Sequence, residues 1–336
     1  MRKTIFSLAL SAMLFALSFV GALVLALSFS AEAQQQAKVA KIGYLGVRPA
    51  APGSGHDIIR RMLRELGYIE GKNMAFEYRS AENNLDRLPA VADELVRLKV
   101  DVLVTSTTRS VLAARNATRT IPIVFFSVAD PVASGLVDSL ARPGGNITGV
   151  TNIQAVLAGK RLELLKETIP RLSRVGVLWD PQILGSEQEW KESQLPAREL
   201  GLHLHSMEVS SADKFESAFK EAIKARSTAL AVTQNPLTVS NEKRIADLAT
   251  KNRLPAIYPR GDYVATGGLM SYGPDQAEAY RRVASMVDKI LKGAKPGDLP
   301  VEQPTKFEFI INLKTAKQIG LTISPNVLAR ADRVIK

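Results

Sequence analysis

Cysteine is absent from the 336-residue chain. Without it there are no disulfides, no cysteine-held zinc or iron–sulfur centre, no thiol nucleophile and no lipid anchor on an N-terminal cysteine. Histidine is scarce too, and three residues leave little material for an imidazole-based metal or acid–base site. Aromatic residues make up 6%, few for a platform that stacks single-stranded nucleic acid. Basic residues are scattered along helix faces and not clustered with aromatics, so no nucleic-acid partner is expected. What is present is ordinary globular material, 46% hydrophobic and 23% charged. That excludes a disordered, collagenous or low-complexity chain. The length suits two domains or one large one. The formal charge of +11 bears on solubility, acidic ligands and anionic surfaces, not on fold.

The N-terminus sets the expected compartment. Arg2 and Lys3 precede a run from Thr4 to Ala31 without a charge, followed by Ala31-Glu32-Ala33. A positive start, an apolar stretch and a small-residue cleavage site make a secretory signal peptide. The expectation is cleavage after about Ala33 and a periplasmic protein. The alternative is an uncleaved N-terminal anchor, since the run is long enough to span a bilayer. Removing residues 1–33 takes away Arg2, Lys3 and Glu32, which leaves the charge one unit below that of the whole chain.

Beyond the signal, short apolar runs alternate with amphipathic stretches. Strands are expected at 41–45, 74–79, 100–105 and 121–128, with helices at 57–66, 85–98 and 110–117 between them. Fully apolar runs such as 121–128 (IPIVFFSV) suit a parallel sheet covered on both faces. The pattern then restarts. Helices are expected at 160–168, 187–200, 213–225 and 242–252, and strands at 174–179, 203–209, 229–233 and 255–258. Two glycine-rich segments, 142–149 (RPGGNITG) and 266–273 (TGGLMSYG), read as crossings between the halves. A long helix at 275–291 and a strand at 307–312 follow. The fold class is α/β, two doubly wound parallel-sheet lobes. Lobes joined by several crossings can hinge around a small molecule.

In open parallel sheets a ligand sits beyond the carboxyl ends of the strands. In the first lobe those ends carry Tyr44, the hydroxyl run 105–108 with Ser106 and Thr107, and 127–131 with Ser127 and Asp130. Hydroxyls at a helix start suit a carboxylate, because free N–H groups and a positive dipole end lie beside them. The plainer reading is capping, which accounts for one of the four hydroxyls. Asp130 either caps the helix that Pro131 begins or faces a ligand ammonium. In the second lobe the ends carry Trp179, Gln234, Asn235, Tyr258 and Asp262. Trp179 either stacks on an aromatic ligand or packs in the core with a partner for its N–H.

Signals for an enzyme fail. Gly53-Ser54-Gly55 lacks the third glycine of a dinucleotide fingerprint, and there is neither a Walker-type phosphate loop nor a G-x-S-x-G elbow. His203 and His205 share a strand face but have no evident third ligand, and His56 beside Asp57 reads as solvated. No catalytic residue, metal or cofactor is expected. The rival class is an exported hydrolase or isomerase on an α/β scaffold, which fold alone does not exclude.

Four segments carry a family resemblance: 121–131 (IPIVFFSVADP), 135–149 (GLVDSLARPGGNITG), 268–273 (GLMSYG) and 300–317 (PVEQPTKFEFIINLKTAK). On these the chain, from Lys41 to its C-terminus, resembles the exported substrate-binding proteins of ABC importers of the tryptophan/tyrosine type, with a type I periplasmic-binding fold. The resemblance implies capture of a small organic solute, an amino acid or related carboxylate, with an aromatic one suggested. It also implies delivery to an inner-membrane ABC permease driven by a cytoplasmic ATPase, and a monomer. A sensor subunit presenting its ligand to a membrane receptor would share the fold. The expected division is 37–150 with about 270–304 as first lobe, and 151–269 with about 305–336 as second, the third crossing lying near 304–307.

Overall fold

The computed structural model describes residues 39–50 and 53–336. The expected export signal lies outside them. Among the described residues no helix is long and apolar enough to cross a membrane.

The first lobe alternates strand and helix: β1 (Ala40–Gly46), α1 (Gly55–Glu65), β2 (Met74–Ser80), α2 (Leu88–Arg97), β3 (Val102–Ser106), α3 (Thr108–Ala117), β4 (Ile123–Val128) and β5 (Ile147–Thr151). The sheet order is β2-β1-β3-β4-β5, with every pair parallel. The period-2 alternation of strands sends Ile42, Val102, Val104 and Val124 to a core under α1. Leu45, Leu103, Ile123 and Phe125 go to the opposite core, under α2 and α3. With both faces covered, near-continuous apolar strands are what this sheet requires.

The second lobe follows with α4 (Gln154–Thr168), β6 (Arg174–Trp179), α5 (Leu184–Glu199), β7 (His203–Glu208), α6 (Phe215–Lys224), β8 (Ala229–Val232), α7 (Pro236–Ser240), α8 (Glu242–Lys251), β9 (Ala256–Tyr258), α9 (Gly261–Ala265) and β10 (Met270–Pro274). The chain then returns: α10 (Gln276–Leu291) packs its Tyr280, Val283 and Val287 into the first-lobe core of Ile42 and Ile59. It crosses back to form β11 (Phe307–Asn312), α11 (Leu313–Ile319), α12 (Pro325–Ala329) and β12 (Arg333–Ile335). The second sheet runs β12-β11-β10-β9-β8-β6-β7. It is parallel except for β10 against β11.

The two glycine-rich segments expected to be crossings each lead, through a turn, into a strand of a lobe's own sheet. Gly149 lies in β5, where a Cβ would overlap the Phe125 carbonyl oxygen of β4. Gly273 lies in β10, where a Cβ would overlap the Pro259 carbonyl oxygen. At these two positions glycine permits close backbone approach inside a sheet, so neither of them marks a loop. Met270–Pro274 therefore belongs to the second sheet, and the return to the first lobe begins at about 276, not 270. The crossings run from Thr151 to Gln154, from Pro274 to Gln276, and from Glu302 to Phe307. The last departs from a parallel bridge between Glu302 and Val150 of β5.

Candidate functional site

The carboxyl ends of β1, β3 and β4 face those of β6, β8 and β9, and the lobes touch there. Gln234, just past β8, donates from Nε2 to Ser127 Oγ of β4 at 3.0 Å. Arg48, just past β1, donates to Ser240 Oγ of α7 at 2.9 Å. Arg260, just past β9, lies close enough to the Tyr280 phenol of α10 to interact with it electrostatically. The contacts lie where the carboxyl-end rule places a ligand.

The first-lobe wall is aromatic. Tyr44 stacks on Tyr78 at 5.5 Å between centroids and meets His56 edge-on at 5.9 Å. His56 lies 4.2 Å from Tyr78, and Phe126 meets Tyr280 edge-on at 5.4 Å. The Tyr44 and Tyr280 phenols and the Phe126 ring edge converge on Gly55, where a Cβ would stand 3.2–3.3 Å from all three. Glycine at the start of α1 lets these rings close together. The Tyr44 phenol lies beside Ser106, and burial, with Tyr280 and Tyr78 adding, holds its pKa above the usual range. Tyr78 donates its hydroxyl to the Arg48 carbonyl at 2.5 Å.

The facing rim is charged. Arg260 binds Asp262, and its buried Nε has no partner among the described residues. Burial alone would lower the guanidinium, but Tyr280, Asp262 and Glu242 outweigh it and raise its pKa. Burial pushes the Glu242 carboxyl up to about 7 against the pull of Arg260, while Asp262 adds to the rise. A partly exposed arginine with a buried, unused Nε–H and a carboxylate that readily takes a proton are equipped to meet a charged polar solute.

Beneath the rim sits a buried ion pair. Arg161 of α4 donates from Nη1 to Glu189 Oε2 of α5 at 2.9 Å, with the side chains 3% and 2% exposed. Glu189 Oε1 accepts the Gln234 amide N–H at 2.9 Å. Burial, the largest effect, raises the Glu189 carboxyl despite Arg161.

The expected site residues divide into two groups. Tyr44, Ser106, Ser127, Gln234 and Asp262 come together along the line where the lobes meet. Thr107 is there as well, but as the N-cap of α3, with its Oγ1 3.1 Å from Ser110 Oγ. Its φ of 70° and the 59° of Ser127 place non-glycine residues in left-handed backbone, at a cost of about 1–3 kcal/mol each. Strain of that size at two neighbouring strand ends is retained where surrounding structure fixes a site. Asp130 takes the capping alternative, though it caps a turn and not a helix: its Oδ1 accepts the Val132 and Ala133 amides at 3.1 and 2.9 Å.

Three residues lie elsewhere. Trp179 is 7% exposed, stacks on Trp190 at 5.6 Å and donates Nε1 to Ser206 Oγ at 2.7 Å. The core alternative holds, because α5 covers the ring and the edge strand satisfies the N–H. Tyr258 is fully buried and stacked on Tyr263 at 4.8 Å; the alternation along β9 turns it away from the cleft and into the core. Asn235 caps α7 by accepting the Thr238 amide at 2.9 Å, and it donates to Ser186. His56 corrects the reading too. It is buried, not solvated, with Ser54 Oγ 2.5 Å from Nδ1, and burial lowers its pKa. His203 and His205 lie on β7, the edge strand.

The reading by strand ends missed Arg48, Glu242, Arg260 and Tyr280. Arg260 stood between two chosen residues, and its charge beside a strand end was a usable signal. Tyr280 was hidden because it arrives on a helix from a later crossing.

Comparison with known proteins adds a lineage. The family model described as ABC transporter substrate binding protein matches residues 55–335. The tyrosine-binding protein of Clostridioides difficile is 28% identical over 261 residues, covering 78% of this chain and 75% of that protein. A solved conserved domain protein from Vibrio cholerae is 30% identical, with a TM-score of 0.81, and covers 88% of this chain and all of that one. A solved ABC domain in complex with L-Trp from Streptococcus pneumoniae is 27% identical, with a TM-score of 0.79, and covers 88% of this chain and 99% of that one.

Proposed function

Because the chain belongs to the family of ABC transporter substrate-binding proteins, we propose that it captures an aromatic amino acid between its lobes without chemistry. It is exported, with its signal removed, and hands the solute as a monomer to a membrane permease driven by a cytoplasmic ATPase. The observation that carries this reading is the ring cluster of Tyr44, His56, Tyr78, Phe126 and Tyr280 at the lobe boundary. Rings offering edges and faces suit an aromatic side chain, and each good pair contributes about 0.5–1.5 kcal/mol beyond burial. Polar groups beside them suit the amino-acid head: the Ser106 hydroxyl on the carboxylate side, and Arg260, Asp262 and Glu242 across the cleft. The relatives that bind tyrosine and tryptophan support the same class.

The test is isothermal calorimetry on residues 34–336, unfolded and refolded first to strip any carried ligand. L-tryptophan, L-tyrosine and L-phenylalanine are compared with aliphatic and acidic amino acids. Saturable binding confined to the aromatic set supports the reading. Binding of another solute class alone removes the aromatic assignment, and activity on any of these molecules removes capture without chemistry.

A further inference from the structure

The hinge and the cross-cleft contact are parts of one hydrogen-bond network. It begins at the first crossing, where Asn152 Nδ2 donates to the Ser127 carbonyl at 3.0 Å and to its Oγ at 3.3 Å. Two residues on, Gln154 donates Nε2 to Gln234 Oε1 at 2.6 Å, and its own Oε1 accepts from Arg161. Arg161 reaches β10, the strand that leads into the second crossing, through Nε, which donates to the Tyr272 carbonyl at 2.9 Å. It reaches α5 through Glu189, which in turn holds the backbone N–H of Gln234. Gln234 is thus fixed at its main chain by Glu189 and at its side chain by Gln154. Its remaining donor, Nε2, is aimed at Ser127 in the other lobe at 3.0 Å.

We propose that the Arg161–Glu189 pair is a positioning device for capture, holding Gln234 so that it latches Ser127 when the lobes close and tying that latch to the first crossing and to the strand that leads into the second. Three features support it. The pair is more deeply buried than any other salt bridge among the described residues, yet burying two charges is a poor route to stability alone. The cavity beside it, lined by Arg161, Glu189 and Thr233 among others, is about 20 Å³, room for about one water, so bulk solvent does not compete for these bonds. Ser127 is held in left-handed backbone at a register break of β4, which turns its hydroxyl out of the strand pattern toward Gln234. Glu189 touches no ligand in this scheme and acts through Gln234.

The inference rests on the reading that the lobes open and close around a solute, and the test separates the two. The natural chain has no cysteine, so spin labels go on Ala90→Cys in α2 and Lys243→Cys in α8 alone. Interlobe distances are measured by pulsed electron resonance with and without L-tryptophan and L-tyrosine. The variants are Ser127→Ala, Arg161→Met with Glu189→Met, and all three together. The methionine pair removes both charges, so it keeps the fold where a single substitution would strand one. The expected result is a wild-type-like melting temperature for the paired variant and a shift of its unliganded distances toward the open form. Its affinity should be about five- to tenfold weaker, the scale of one hydrogen bond. Ser127→Ala should match it, and the triple variant should add nothing. Independent, additive losses, or wild-type distances and affinity in the paired variant, overturn the positioning role. One unchanging distance in the natural protein, with or without either amino acid, overturns the capture reading, and the latch with it.

Discussion

Glu189→Gln isolates the energetics of the buried pair. The substitution keeps the shape of the side chain and removes its charge. Arg161, 3% exposed, then keeps the Tyr272 carbonyl and Gln154 as partners but no counter-charge. Breaking a buried pair from one side costs about 3–5 kcal/mol, because the remaining charge is left uncompensated. The neutral amide oxygen must also serve both the Arg161 guanidinium and the Gln234 N–H, which two carboxylate oxygens serve now. The loss should therefore lie toward the upper part of that range. Replacing both residues by methionine should cost far less, since matched apolar side chains avoid desolvating two ions. Urea unfolding followed by circular dichroism reads the difference as a fall in midpoint at unchanged slope. A single variant within about 1 kcal/mol of the natural protein would refute the claim that Arg161 depends on Glu189. So would a paired variant as damaged as the single one.

Other perturbations test the site more locally. Ser106→Ala with Thr107→Ala should weaken binding of a carboxylate ligand by about 1–3 kcal/mol in calorimetry, and unchanged affinity would remove these hydroxyls from the site. Trp179→Phe should cost about 1–2 kcal/mol of stability by losing the Ser206 hydrogen bond and part of the Trp190 stack. It should leave ligand affinity untouched, and a large affinity loss would return Trp179 to the cleft. Glu242 takes up a proton more readily in the fold, at about 7 against an ordinary 4.5. Between those values the native state binds more protons than the unfolded one, so this group makes stability fall as pH rises from 4.5 to 7 and level off above. Glu242→Gln should flatten that part of the profile in pH-dependent urea titrations; an identical profile would show that Glu242 titrates normally.

The alternation of apolar runs and amphipathic stretches was enough to place two α/β lobes, because strand burial and helix faces are local patterns with fixed periods. The strand-end rule then brought Tyr44, Ser106, Ser127, Gln234 and Asp262 to the lobe boundary, since each follows its strand directly. Glycine misled at 149 and 273: a close neighbouring backbone, not a turn, requires it there. Before the packing was known, Tyr258 and Trp179 looked eligible for the cleft, while Arg260, two residues past Tyr258, was passed over. Burial separated them, giving the first two ring partners in the core and leaving the arginine at the rim. The remaining members came from distant parts of the chain. Tyr280 reaches the first-lobe wall only because α10 crosses back from the second lobe. The Arg161–Glu189–Gln234 network joins residues up to 73 positions apart through two helices and a strand end. Local sequence determined the lobes and the edge on which a site would lie. Packing of chain-distant elements decided which polar groups were buried, paired and aimed across it, because desolvation and hydrogen-bond geometry exist only once those elements meet.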